Sequence, residues 1–183
     1  MVSANNTSKY CSSDHISIRL GIDSDIPQII TLQSFWLNQP YVNKKGFLFG
    51  SPYSEFELKQ IISNQHLIIA TVDSSFAGYF LVDDVSRNNL TEKYRAQLRI
   101  LKQQFAGKVC PRAQIAISPN YLGRGISKLL TKSMISRLNN EYESVFSMVS
   151  KQNCNIQKHI RNNWKIIHQD HLMYYVKLEL RSF

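Results

Sequence analysis

The chain has 183 residues, 43% of them hydrophobic and 19% charged, with a formal net charge of +9. That length and composition fit one globular domain with a real core, and no apolar run approaches the ~18 residues of a membrane-spanning helix. Three widely spaced cysteines, Cys11, Cys110 and Cys154, give no disulfide framework and no CxxC metal pattern.

His168 and His171 are the one close histidine pair. With no third ligand beside them they read as a solvated turn, so no metal is expected. Residues 1–14 are polar and rich in Ser and Asn. They lack the basic start and apolar stretch of a signal peptide, and read as a disordered lead-in to a single domain over residues 15–183 of a cytoplasmic protein. Charge is uneven. Residues 1–90 hold 6 Lys/Arg and 8 Asp/Glu, residues 91–183 hold 16 and 5, and no acid lies between Glu92 and Glu141. The second half should therefore attract anions: a nucleotide cofactor, a nucleic acid or an acidic surface.

In chain order, Ile16, Ile18 and Leu20 alternate with polar residues, which predicts a first strand. Ser24, Asp25 and Pro27 offer a helix start, followed by Ile26, Ile29, Ile30 and Gln33 at helical spacing towards Trp36. Residues 38–53 look like a loop carrying Tyr41, Phe47, Phe49 and Tyr53. Ser54 and Glu57 have capping-box spacing at the start of a second helix. Residues 67–72 and 76–82 form a hairpin pattern. Residues 91–105 look helical through Tyr94, Leu98, Leu101 and Phe105. A short strand is predicted at 113–117 and a helix at 126–138, with Ile126, Leu129, Leu130, Met134 and Leu138 on its apolar face. A strand at 145–149, a helix within 153–163 and strands at 164–167 and 172–180 complete a mixed α/β layer pattern.

The most informative segment is QIAISPNYLGRGISKLL, residues 114–130. An apolar strand runs into a turn with Gly123 and Gly125, and an amphipathic helix begins at once. Glycines allow unusual dihedrals and close approach of a ligand. The first N–H groups of a helix lack intrahelical acceptors and sit at the positive end of its dipole, so this turn is an anion cradle. Arg124 adds a fixed charge and Ser127 a hydroxyl. The phosphate-loop pattern G-x-x-x-x-G-K-[ST] is absent, and the dinucleotide pattern G-x-G-x-x-G fails at Lys128.

This segment resembles the coenzyme A-binding motif of the GNAT acetyltransferases, Gln/Arg-x-x-Gly-x-Gly/Ala, laid over Leu122-Gly123-Arg124-Gly125-Ile126-Ser127. Gly125 matches the central glycine. Leu122 and Ser127 depart from the pattern. The order of elements over residues 16–180 is also similar to that family's, apart from the extra helix at 91–105. The resemblance implies a mixed α/β fold with a mostly antiparallel, six- to seven-stranded central sheet flanked by helices, its fourth and fifth strands (113–117 and 145–149) splayed. It implies acetyl-CoA as co-substrate, held by Ile115, Ala116, Ile117, Leu122, Gly123, Arg124, Gly125, Ile126, Ser127 and Asn153. It also implies transfer of the acetyl group to a primary amine by direct attack.

On that reading, a backbone N–H at Ile117 or Ser118 polarises the thioester oxygen. Many family members carry a tyrosine acid seven residues after the Asn; here that position is Ile160. Asp83 or Asp84 at the end of the third strand is the candidate base. Tyr121, Tyr79 and His159 are weaker candidates for the acid, Tyr79 reading better as core. The aromatic loop would wall an amine or peptide acceptor, with Lys44 and Lys45 favouring an acidic one. Assembly as a homodimer is left open, a membrane partner is not expected and nucleic acid is disfavoured. Two rivals stand beside the enzyme: a silent acyl-CoA binder, suited to the missing tyrosine, and a nucleic-acid binder, suited to the basic half but lacking a recognisable motif.

Overall fold

Residues 15–39, 52–83, 108–110, 113–154 and 156–180 are described by the structure, a computed structural model. The expectations for residues 1–14, Tyr41, Lys44, Lys45, Phe47, Phe49, Asp84 and the helix at 91–105 lie outside these residues.

β1 (Ile16–Leu20) leads through Gly21 and a single 3-10 turn into α1 (Ile26–Leu37). One ion pair fixes that junction. The Arg19 guanidinium donates two bonds of 2.7 Å to the Asp25 carboxylate, which also accepts the Ile22 N–H at 2.9 Å. α1 buries Ile26, Ile29, Leu32, Gln33 and Trp36, a stripe at spacings of three and four. The Gln33 side-chain oxygen accepts the Tyr53 N–H at 2.8 Å, tying the chain back to α1 just before α2 (Glu55–Ser63). The capping box forms as expected: the Ser54 hydroxyl accepts the Glu57 N–H, and the Glu57 carboxylate accepts the Ser54 N–H at 2.8 Å.

β2 (Leu67–Val72) and β3 (Ser75–Val82) form the expected hairpin. Asp73 and Ser74 both take positive φ, 47° and 67°, the geometry that matches a two-residue turn to strand twist. β1 pairs with β2, and β3 pairs with β5 (Ala113–Ile117), all antiparallel. Gly78 sits opposite Ile117. A Cβ there would stand 2.5 Å from the Ala116 carbonyl oxygen, so glycine lets β5 close on β3.

The short β4 (Val109–Cys110), two residues before β5, pairs instead with the start of β6 (Ser144–Ser150), in parallel. β8 (Met173–Glu179) pairs antiparallel with β6, and β7 (Lys165–Gln169) with β8, after α4 (Ile156–Arg161). The architecture is therefore mixed α/β, mostly antiparallel and flanked by helices. Where one sheet of six or seven strands is expected, the described strands number eight in two four-stranded sheets, β1-β2-β3-β5 and β4-β6-β8-β7. Two residues of β4 are too short for any periodicity to betray them.

α3 (Ile126–Leu138) joins the sheets. Its Ile126, Leu130, Met134 and Leu138 share one core with Ile68, Ala70 and Phe80 of the first sheet and Val145, Val176 and Leu178 of the second. Leu129, expected on this face, is exposed. At 100° per residue it lies about 120° from the centre of the stripe. α1 and α2 bury a second core against the opposite face, with Leu67, Ile69, Tyr79, Leu81 and Ala116.

Burial pushes the Asp25 carboxyl up, but the Arg19 fork and the Ile22 N–H overcome this and hold it below the usual carboxylate range. A depressed pKa stabilises the fold above the unfolded value and is lost as pH falls through the folded one. Asp25→Asn is expected to cost about 1–2 kcal/mol at neutral pH and to flatten the decline in stability below pH ~4, read by urea unfolding at a series of pH values.

Candidate functional site

Two strands that run in the same direction part company here. β4 and β6 are hydrogen-bonded at Val109↔Ser144 and Cys110↔Val145, and beyond that point β5 pairs with β3 while β6 pairs with β8. The sheet thus opens into a cleft. Ile117–Ser118 end one arm, and Ser150–Asn153 end the other.

Ladder geometry says which backbone groups face the opening. The Ser118 N–H donates to the Ala77 oxygen at 2.8 Å, and Gly78 is paired with Ile117. In an antiparallel ladder, hydrogen-bonded pairs alternate with non-bonded ones. Gln114 and Ala116 therefore spend their backbone groups on β3, while Ile115 and Ile117 turn theirs towards the cleft. The Lys151 N–H donates to the Leu172 oxygen at 2.8 Å, so Met148 and Ser150 likewise turn away from β8 towards the cleft. The Ile117 carbonyl is covered by the Trp36 indole N–H at 2.9 Å, leaving its N–H as the donor at that lip. Sequence reasoning named Ile117 and missed Trp36, Met148 and Ser150.

Directly after β5, Pro119–Tyr121 make one 3-10 turn. Gly123 and Gly125 then take φ of 81° and 77°, and an added Cβ at either meets nothing within 4 Å. The turn is thus both left-handed and open in front. Gly125, with no side chain to cap with, is the N-cap of α3, and the first turn of the helix holds no acid. Leu122, Arg124 and Ser127 are exposed, whereas the Ile126 side chain is buried in the core. The guanidinium of Arg124 lies 5.3 Å from the centre of the half-buried Tyr121 ring. Helix N–H groups and the positive dipole end face one surface that suits an anion, with the exposed Arg124 in the same turn.

Asn153 is buried in the turn after β6, its N–H on the Ser150 oxygen at 2.9 Å and its carbonyl accepting the Ile156 N–H. Of the acid–base candidates, Asp83 is displaced. Val82 is paired with Ala113, so Asp83 lies at the closed end of the cleft, about 17 Å from Ile117 at ~3.3 Å per residue. Tyr79 is fully buried and donates to the Gln114 side chain at 2.7 Å, which makes it core. His159 packs edge-on against Trp164, and Ile160 is exposed. His168 is exposed on β7. His171 is exposed between β7 and β8, at a hairpin tip held beside the end of β6 by the Lys151–Leu172 bond.

No protein-family model and no curated protein sequence matches this chain. Solved structures do. An N-acetyltransferase from Staphylococcus aureus Mu50 superposes with a TM-score of 0.62 at 14% identity, covering 91% of this chain and 99% of that one. The PaiA N-acetyltransferase of Thermoplasma acidophilum, solved in complex with coenzyme A, gives 0.62 at 15% identity over 90% and 99%. A GNAT-family acetyltransferase of Listeria monocytogenes 4b F2365 gives 0.64 at 12% identity over 90% and 94%. The chain has the GNAT fold.

The glycines of the turn and of the strand differ in what a side chain would cost. Gly125→Ala is expected to lose about 1–2 kcal/mol of unfolding free energy through its left-handed backbone alone. Gly78→Ala is expected to lose more, because it pushes β5 off β3; chemical denaturation of the two variants makes the comparison.

Proposed function

We propose that this protein is an acetyl-CoA-dependent N-acetyltransferase that acetylates a primary amine by direct attack. One observation carries the reading. The Ile117 N–H, turned away from β3, and a left-handed glycine turn stand at the same end of a cleft between parallel strands, six to eight residues apart along the chain. The turn suits a pyrophosphate, received by the N–H groups of Gly123 to Ser127 with Arg124 beside them. Backbone groups of Ile115 and Met148 suit the amides of an extended arm, and the Asn153 turn borders the far lip. That coenzyme A is bound by the PaiA protein of the same fold supports the assignment.

In this chemistry the acyl thioester supplies an activated carbonyl carbon. The nitrogen–carbon bond forms as the carbon–sulfur bond breaks, the amine loses a proton to solvent and the departing thiolate gains one. The chain's contribution is position and one oxyanion donor. The Ile117 N–H points where negative charge develops on oxygen, while the Ser118 N–H is already spent on Ala77. Holding the two reactants in the cleft supplies the remainder. Asp83, at the closed end, is too distant to serve as base at this point, so the reading calls for an amine that reaches the cleft neutral.

The second reading, a silent acyl-CoA binder, is favoured by the displaced Asp83 and by Ile160 at the tyrosine position. Titration calorimetry with acetyl-CoA is expected to give about micromolar affinity in the wild type and at least a tenfold loss in Gly125→Trp with an unchanged circular dichroism spectrum. Turnover with a panel of amines then separates the enzyme from the silent binder. A folded wild type that does not bind acetyl-CoA overturns both.

A further inference from the structure

Trp36 packs in the second core beside Ala116, and its indole N–H reaches the last residue of β5. It donates to the Ile117 carbonyl at 2.9 Å, across 81 residues of sequence and from the opposite face of the sheet to α3. That carbonyl is the companion of the N–H aimed into the cleft, since a strand residue turns both groups to the same side. The peptide that carries it is held at its other end too, where the Ser118 N–H meets the Ala77 oxygen at 2.8 Å.

We infer that Trp36 is a positioning residue for the acyl-transfer step, an inference that rests on the function proposed above. Two physical effects follow from this bond. An uncovered carbonyl at the lip would turn its negative oxygen towards the oxygen on which negative charge develops, and the indole N–H engages one of its two lone pairs and offsets that charge. The bond also closes a chain, Trp36 N–H to Ile117 carbonyl and Ser118 N–H to Ala77 carbonyl, which fixes the end of β5 before any ligand arrives. Pre-set donors of this kind act because they need no reorganisation during the reaction. Trp36 is buried and acts through Ile117, so its effect falls on the rate of the chemical step and leaves the affinity for acetyl-CoA alone.

The test uses the full chain with two replacements at position 36. Trp36→Phe keeps an aromatic ring and removes the donor. Site-specific benzothienylalanine keeps the shape and replaces only the N–H with sulfur, so it stays informative if the phenylalanine variant folds poorly. With an amine that the wild type acetylates, kcat is expected to fall about tenfold in the benzothienylalanine protein while KM for acetyl-CoA and its calorimetric Kd stay within twofold. Amide exchange at Ser118 is expected to speed up in the free protein. An unchanged kcat, or a loss that appears in Kd rather than kcat, overturns the inference. A wild type that binds no acetyl-CoA, or binds it without turnover, counts against the proposed function instead, and is seen before any variant is made.

Discussion

The rest of the structure depends on where two parallel strands stop being neighbours. β4 and β6 share a ladder of two residues, and past it the arms diverge, β5 pairing with β3 while β6 keeps the β8 partner it has along its whole length. Buried backbone groups without partners are costly, so a sheet does not normally open in its middle. Here the opening is made tolerable from outside. α3 spans both sheets with Ile126, Leu130, Met134 and Leu138, and the arms are fixed at their ends by Trp36 on one side and the β7–β8 hairpin tip on the other. The cleft is bordered by backbone groups that the ladders turn away from β3 and β8.

The same divergence explains why the glycine turn is placed where it is. A strand that ends at the open lip must reverse direction to bring its following helix back across both sheets. Left-handed residues at 123 and 125 make that reversal in little space, and the helix then starts with its positive end facing the lip. Anion cradle and strand N–H are consecutive parts of one chain path, which is why a short motif can carry so much of the site.

That is also why much was legible in the residues. The α3 boundaries, the β2–β3 hairpin and the Ser54–Glu57 box were readable because each depends on neighbours within a few positions. What resisted reading depends on contacts between distant positions. Asp83 looked like a base because it ends a strand, but only the Val82↔Ala113 register shows that it ends at the closed side. Trp36 looked like one more apolar residue of a helical stripe. Its indole bond to position 117 has no local signature. Leu129 misled in the opposite sense, since an apolar residue near a stripe is not on it unless the 100° rotation agrees.

Among the described residues, the two sheets are joined along the chain by the step from β4 to β5 and in space by side chains of α3 and its surroundings. A molecule lying along the cleft would therefore be more than a guest. By bridging Ile115 to Met148 it would complete a sheet interrupted in its centre, acting as a removable strand. In that state the two halves would be coupled by backbone bonds as well as by a shared core. Each cycle of binding and release would then be a cycle of splicing and parting the protein's own sheet, with the cohesion of the whole fold rising and falling in step with occupancy.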